Sequence, residues 1–162
     1  MLEVTGKLAA GLVLGIGALG SAFGIRAAGT AAAGAWANEG KAGKNLSFQY
    51  ILMIAAPISQ TLYAMILMNN MLDKAPTTAN SFLLLGVALG SGAGELFSAW
   101  YQGVIGAAGI RCLNENGGKG FGLIIIALGI IETVGIFSMV FGLTILKYAP
   151  VADAMCAAIG AK

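Results

Sequence analysis

One carboxylate, two amides and a few hydroxyls stand in this chain where the neighbouring sequence is almost entirely hydrocarbon. Glu132 lies within Leu128-Gly129-Ile130-Ile131-Glu132-Thr133-Val134-Gly135-Ile136-Phe137, inside an apolar run from near Phe121 to near Leu146. Eleven apolar or glycine residues precede it, and Thr133 and Ser138 interrupt the run before Thr144. An ionised carboxylate at the centre of a bilayer costs a few kcal/mol on insertion scales, so it persists where a proton, a bound cation or a paired base neutralises it. The chain has no His, and this run has no Lys. Glu132 is therefore read as the holder of a mobile cation.

Two polar rows accompany it. Ala56, Ser59, Gln60 and Tyr63 recur at i, i+3, i+4 and i+7 and so share one helical face. Pro57, in the same stretch, removes a backbone donor and frees a carbonyl about one turn earlier. Ser91, Glu95, Ser98 and Gln102, at i, i+4, i+7 and i+11, make a second stripe.

The elements that must position these groups follow from composition. The chain has 162 residues, 58% hydrophobic and 10% charged, with a mean hydropathy of +0.86. A soluble domain carries about 25% charged residues. Apolar runs of the ~20 residues needed to cross a bilayer fall near 8–36, 50–72, 82–113 and 121–147. Helices are the expected spanning element for such runs, giving an all-α membrane protein of four transmembrane helices. The first run is longer than the roughly 7–15 residues of a signal-peptide core and is read as a span. The net charge of +2, without a basic patch, excludes a nucleic-acid partner. Cys112 and Cys156 lack metal-ligand spacing and read as buried or inert thiols. Lys41, Lys44, Arg111 and Lys119 on one side balance Lys7, Lys74, Lys147 and Lys162 on the other, so charge does not orient the chain.

The chain is a duplication. The first and third spans are rich in glycine, with Gly11/Gly15 and Gly20/Gly24 each four apart, a spacing that lets another helix backbone approach. Each is followed by a similar loop, Asn38-Glu39-Gly40-Lys41 and Asn114-Glu115-Asn116-Gly117, and by a span with a central polar group. Glu39 pairs with Glu115 and Gln60 with Glu132, and a longer first loop absorbs the difference in offset. The expected units are a first hairpin at 1–74, a second at 75–147, and a C-terminal tail at 148–162 in which Pro150 stops the helix. Internal repeats of this kind are common in membrane transport folds.

Tandem hairpins, glycine-rich first helices and a lone Glu132-Thr133-Val134-Gly135-Ile136-Phe137 in the fourth span resemble the proteolipid (c or K) subunit of V-type and prokaryotic V/A-type rotary ATPases. The resemblance covers the chain up to about Lys147. It implies a homo-oligomeric rotor ring in membrane lipid, turned by a soluble motor through central-stalk subunits. Each subunit would carry one ion past a stator (a or I) subunit whose Arg displaces it. The chain itself would be non-catalytic.

A narrower resemblance is to the sodium-binding members. These have a small hydroxyl residue followed by Gln and, three residues on, Tyr in the second span, then Gln in the third and Glu in the fourth. The matching positions are Ser59, Gln60, Tyr63, Gln102 and Glu132, with the main-chain carbonyl of Ala56 as a further ligand. Ser59 stands where that pattern has Thr, and Ala56 where it has a larger apolar residue. Na⁺, as a hard cation, takes several oxygen ligands. The implied set offers the charge of Glu132, the amide carbonyls of Gln60 and Gln102, the Ser59 hydroxyl and the Ala56 carbonyl, with Tyr63 holding Glu132 in place. A proton site needs only one carboxyl in an apolar pocket. Na⁺ is the expected cargo, H⁺ the alternative, and a prokaryotic plasma membrane the expected location.

Competing classes explain less. A structural or pore-forming tetraspan proteolipid accounts for the glycines but not for oxygens converging on Glu132. An intramembrane enzyme needs a second catalytic group, and the spans hold no His, no Asp and no Ser beside a base. A small drug-type antiporter uses a membrane Glu but has no need of Gln60 and Gln102. Glu95 and Arg26 are left without a fixed role: Glu95 could pair with Arg26, face the ring interior or line an ion path. Loop residues Glu39, Lys41, Lys44, Glu115 and Lys119 are expected to be solvated.

Overall fold

The computed structural model describes residues 2–74 and 80–149. Helix α1 covers Leu2–Lys41, α2 Gln49–Ala55, α3 Ser59–Asp73, α4 Ser81–Glu115 and α5 Phe121–Lys147, and a 3₁₀ turn over Ala56–Ile58 joins α2 to α3. Four segments, Gly6–Lys41, Gln49–Asp73, Ser81–Glu115 and Phe121–Lys147, are long and apolar enough to cross a membrane. The fold is all-helical, as expected. α1 overruns the expected 8–36 because its helical turns continue through Asn38-Glu39-Gly40-Lys41, beyond the apolar window. The connection at 42–48 is longer than its counterpart at 116–120. Helix α5 ends at Lys147; Pro150, most of the 148–162 tail and Cys156 lie outside the described residues. Cys112 is exposed in the last turn of α4, so of the two readings expected of it, buried or inert, the buried one does not hold.

Glycine sets how the bundle closes. α1 packs most extensively on α4. A Cβ on Gly20 would fall 2.5 Å from the Leu96 main chain, one on Gly24 would overlap the Ala99 carbonyl, and one on Gly103 would overlap the Gly24 backbone. These neighbours are main-chain atoms, so the two helices touch backbone to backbone. Gly11 and Gly15 share the four-residue spacing but meet nothing within 4 Å in the chain. The pattern is used for internal packing at one pair and not at the other.

Two apolar cores form at opposite ends. One gathers Ala9, Val13, Leu67, Met71, Leu84 and Leu146, and the other Ala28, Ala32, Tyr50, Met53, Ile110 and Leu128. Between them lie the buried polar side chains Ser21, Gln60, Glu95, Ser98 and Gln102, with the small apolar Pro57, Ala64 and Ala99.

The two loops differ. Glu39 is only 8% exposed, not solvated as expected. Its Oε1 accepts from Tyr50 Oη at 2.6 Å and its Oε2 from Ser47 N at 2.9 Å, while Trp36 Nε1 donates to Ser47 O at 2.9 Å. Those bonds fold the first loop over the carboxylate, whereas Glu115 is exposed. Tyr50→Phe removes a hydrogen bond to a charged group, a contribution of about 1.5–3 kcal/mol. Amide exchange across 42–48 is expected to rise by roughly ten- to hundredfold. An unchanged rate would mean that the Trp36–Ser47 bond holds the loop without the carboxylate.

Candidate ion-binding site

Pro57 shapes the junction between α2 and α3. Lacking an N–H, it gives the Met53 carbonyl no helical partner, and the chain tightens so that the Ser59 N–H bonds to the Ala56 carbonyl. Two hydroxyls outside the two polar stripes secure the turn: Thr61 Oγ1 donates to Ser21 Oγ at 2.7 Å, and Ser21 Oγ donates to the Pro57 carbonyl. The Ser59 hydroxyl lies 2.9 Å from the Ala56 carbonyl and 3.1 Å from Gln60 Oε1, and its single proton serves one of them at a time.

From this turn the polar groups reach α5. Tyr63 Oη donates to Glu132 Oε1 at 2.9 Å. Gln60 is fully buried, and its Nε2 donates to Ser98 Oγ at 3.0 Å. Ser98 Oγ in turn donates to the Ile131 carbonyl at 2.9 Å, one residue before Glu132. Gln102 Nε2 donates to the Leu128 carbonyl at 3.3 Å, one turn before Glu132. Of the expected set, then, Tyr63 touches Glu132 directly, Gln102 holds the α5 main chain just ahead of it, Gln60 reaches that main chain only through Ser98, and Ser59 and Ala56 bond to each other at the Pro57 break. Ser98 is the link that sequence reasoning left without a role. Its place four residues before Gln102 on a buried stripe was the available signal.

The α4 stripe keeps to one face as its spacing predicts, and that face is buried: Ser91 is 9% exposed, and Glu95, Ser98 and Gln102 are nearly inaccessible. Gly135, three residues past Glu132, lets the stripe come close to α5. A Cβ there would lie 2.8 Å from Glu95 Oε2, 3.0 Å from Gln60 Cγ and 3.2 Å from Ser98 Oγ. Arg26 is exposed on α1 and gives Glu95 no hydrogen bond, so that pairing is not made. Glu132 itself is half-buried on α5, the span with the least protein around it.

Chemically, this is one carboxylate held by a phenol, beside a cluster of neutral oxygen atoms. Among the described residues no three His, Cys, Asp or Glu side chains come together. Amide, hydroxyl and main-chain oxygens would therefore have to complete any cation shell around Glu132.

Comparison with curated proteins found no match to this chain. A protein-family model for the C subunit of ATP synthase matches it twice, over residues 8–69 and 85–145. The two matches fall on the two hairpins and include both Gln60 and Glu132. Proteins of that family are non-catalytic rotor proteolipids that form oligomeric rings within ATP synthases or ATPases. With both of its halves matched, this multi-pass membrane chain belongs to the ATP synthase C-subunit family.

Proposed function

We propose that this rotor proteolipid serves a V-type rotary ATPase of a prokaryotic plasma membrane and carries Na⁺ on Glu132. Gln60, Gln102, Ser59 and the Ala56 carbonyl contribute the remaining oxygens, and Tyr63 orients the carboxylate. A stator Arg displaces the ion as each subunit passes, and central-stalk subunits turn the ring. The observation that carries the sodium reading is the Gln102 amide. Its Nε2 is fixed on the Leu128 carbonyl, yet its Oε1 is buried with no hydrogen-bond partner. An acceptor left bare in this way costs about 1–3 kcal/mol. An amide that served only to join helices would not need that oxygen exposed to nothing, whereas a bound cation satisfies it. Gln60 fits the same division, with its Nε2 on Ser98 and its Oε1 beside Ser59.

Carbodiimide labelling of the purified ring tests this, because the reagent attacks a protonated carboxyl. Millimolar Na⁺, but not K⁺, is expected to protect Glu132, and Gln102→Ala or Gln60→Ala to raise the Na⁺ needed by roughly tenfold, the equivalent of about 1.4 kcal/mol. Labelling that follows pH alone would make the cargo a proton and the two amides helix contacts. Glu95 is fully buried and is not expected to react.

A further inference from the structure

Glu95 is a buried acid that the proposed ion path does not use. It is fully inaccessible, and neither carboxyl oxygen has a hydrogen-bond partner. The other three spans pack around it. α1 brings Gly17, where a Cβ would sit 3.5 Å from Glu95 Cβ and 2.7 Å from Ala64 Cβ of α3, and α5 brings Gly135, where a Cβ would sit 2.8 Å from Glu95 Oε2. Gly135 follows Glu132 by three residues, so Glu95 stands against α5 within one turn of the ion-carrying carboxyl.

The nearby donors are committed elsewhere. Gln60 Nε2 is turned to Ser98, and the Ser98 proton to the Ile131 carbonyl. An anion at Glu95 would thus be buried without compensation. A hard cation wants several oxygens. It would find two carboxyl oxygens and a serine oxygen that already donates and accepts, with the Gly135 main chain pressed close. A proton needs neither the ligands nor the room.

We propose that Glu95 is a second proton-binding carboxyl of the subunit, one that keeps its proton while Glu132 exchanges its ion. Each subunit then holds two acids in its polar layer but transports on one, and the charge moved per step stays at one. The inference rests on Glu132 being the exchanging group, as proposed above.

Infrared spectroscopy of the intact purified ring near neutral pH, with and without saturating Na⁺, separates the two acids. One protonated-carboxyl band is expected to persist unchanged in saturating Na⁺, and Glu95→Gln to abolish it. A second, Na⁺-sensitive band is expected to vanish in Glu132→Gln. If the Na⁺-saturated wild-type ring shows no protonated-carboxyl band, the proposal is overturned without recourse to any variant. Binding of two Na⁺ per subunit, reduced to one by Glu95→Gln, would overturn it in favour of a second cation site. If the Glu132 band ignores Na⁺, the sodium reading fails, while the band removed by Glu95→Gln still decides the role of Glu95.

Discussion

Glu132→Gln is expected to abolish carbodiimide labelling of the ring and to weaken Na⁺ binding at least ~100-fold. Glutamine keeps the side-chain length and an oxygen that can still accept from Tyr63 Oη, which donates to Glu132 at 2.9 Å. Packing around α5 is therefore retained while the charge is lost. Among the described residues a monovalent cation at this depth meets no other accessible carboxylate, since Glu95 has no exposed surface and Glu39 is engaged by Tyr50 and Ser47 in the loop layer. A charge uncompensated near the membrane centre costs about 2.5–3.5 kcal/mol on insertion scales, and each 1.4 kcal/mol is about tenfold in affinity. Radiolabelled Na⁺ binding to purified rings measures the effect. Affinity within tenfold of wild type would remove Glu132 from the centre of the site.

Gly103→Ala is expected to disrupt the bundle, and Gly29→Ala to leave it intact. In a helix interior alanine is favoured over glycine by about 0.8–1.0 kcal/mol, so propensity alone would make both changes stabilising. At Gly103 the new Cβ overlaps the main chain of Gly24, which cannot rotate away as a side chain could. Overpacking costs about 1–3 kcal/mol where side chains can adjust. Here α1 and α4 would have to separate along their contact, which puts the cost at or above that range and outweighs the propensity gain. At Gly29 nothing lies within 4 Å, and the gain stands. Thermal dissociation of detergent-purified rings distinguishes the pair. Equal stability of the two variants would mean that the α1–α4 contact is looser than its glycines indicate.

The sequence made the bundle legible through length and composition, because four apolar runs admit few folds in a bilayer. The α4 stripe was legible as well: helical period alone put Ser91, Glu95, Ser98 and Gln102 on one face, and that face is buried. Which atoms meet was not. Gln102 and Ser98 bond to main-chain carbonyls of α5, and carbonyls belong to every residue, so no pattern of residue types announces them. The burial of Glu39 was hidden for a related reason. Asn38-Glu39-Gly40-Lys41 and Asn114-Glu115-Asn116-Gly117 look alike as strings, and the difference comes from Tyr50 and Trp36, which reach the loop from neighbouring helices. Gly11/Gly15 and Gly20/Gly24 likewise share a spacing but not a partner, since spacing describes one helix surface and says nothing of what faces it.

The shallow packing of α5 has a thermodynamic consequence. The helix that bears Glu132 has only 11% of its apolar window buried within the chain, against 39% for α1 and 44% for α4. A single subunit thus leaves Glu132 half-open, and on the proposed reading it is ring assembly that closes over the carboxylate. Ion retention and ring assembly are then linked equilibria. A ligand that binds the assembled form alone stabilises it by RT ln(1 + [L]/Kd), which is about 2.7 kcal/mol per site at a hundredfold excess over Kd. On the proposed reading the cargo acts as an assembly factor for its own carrier, and a subunit leaving the ring would release its ion as it went.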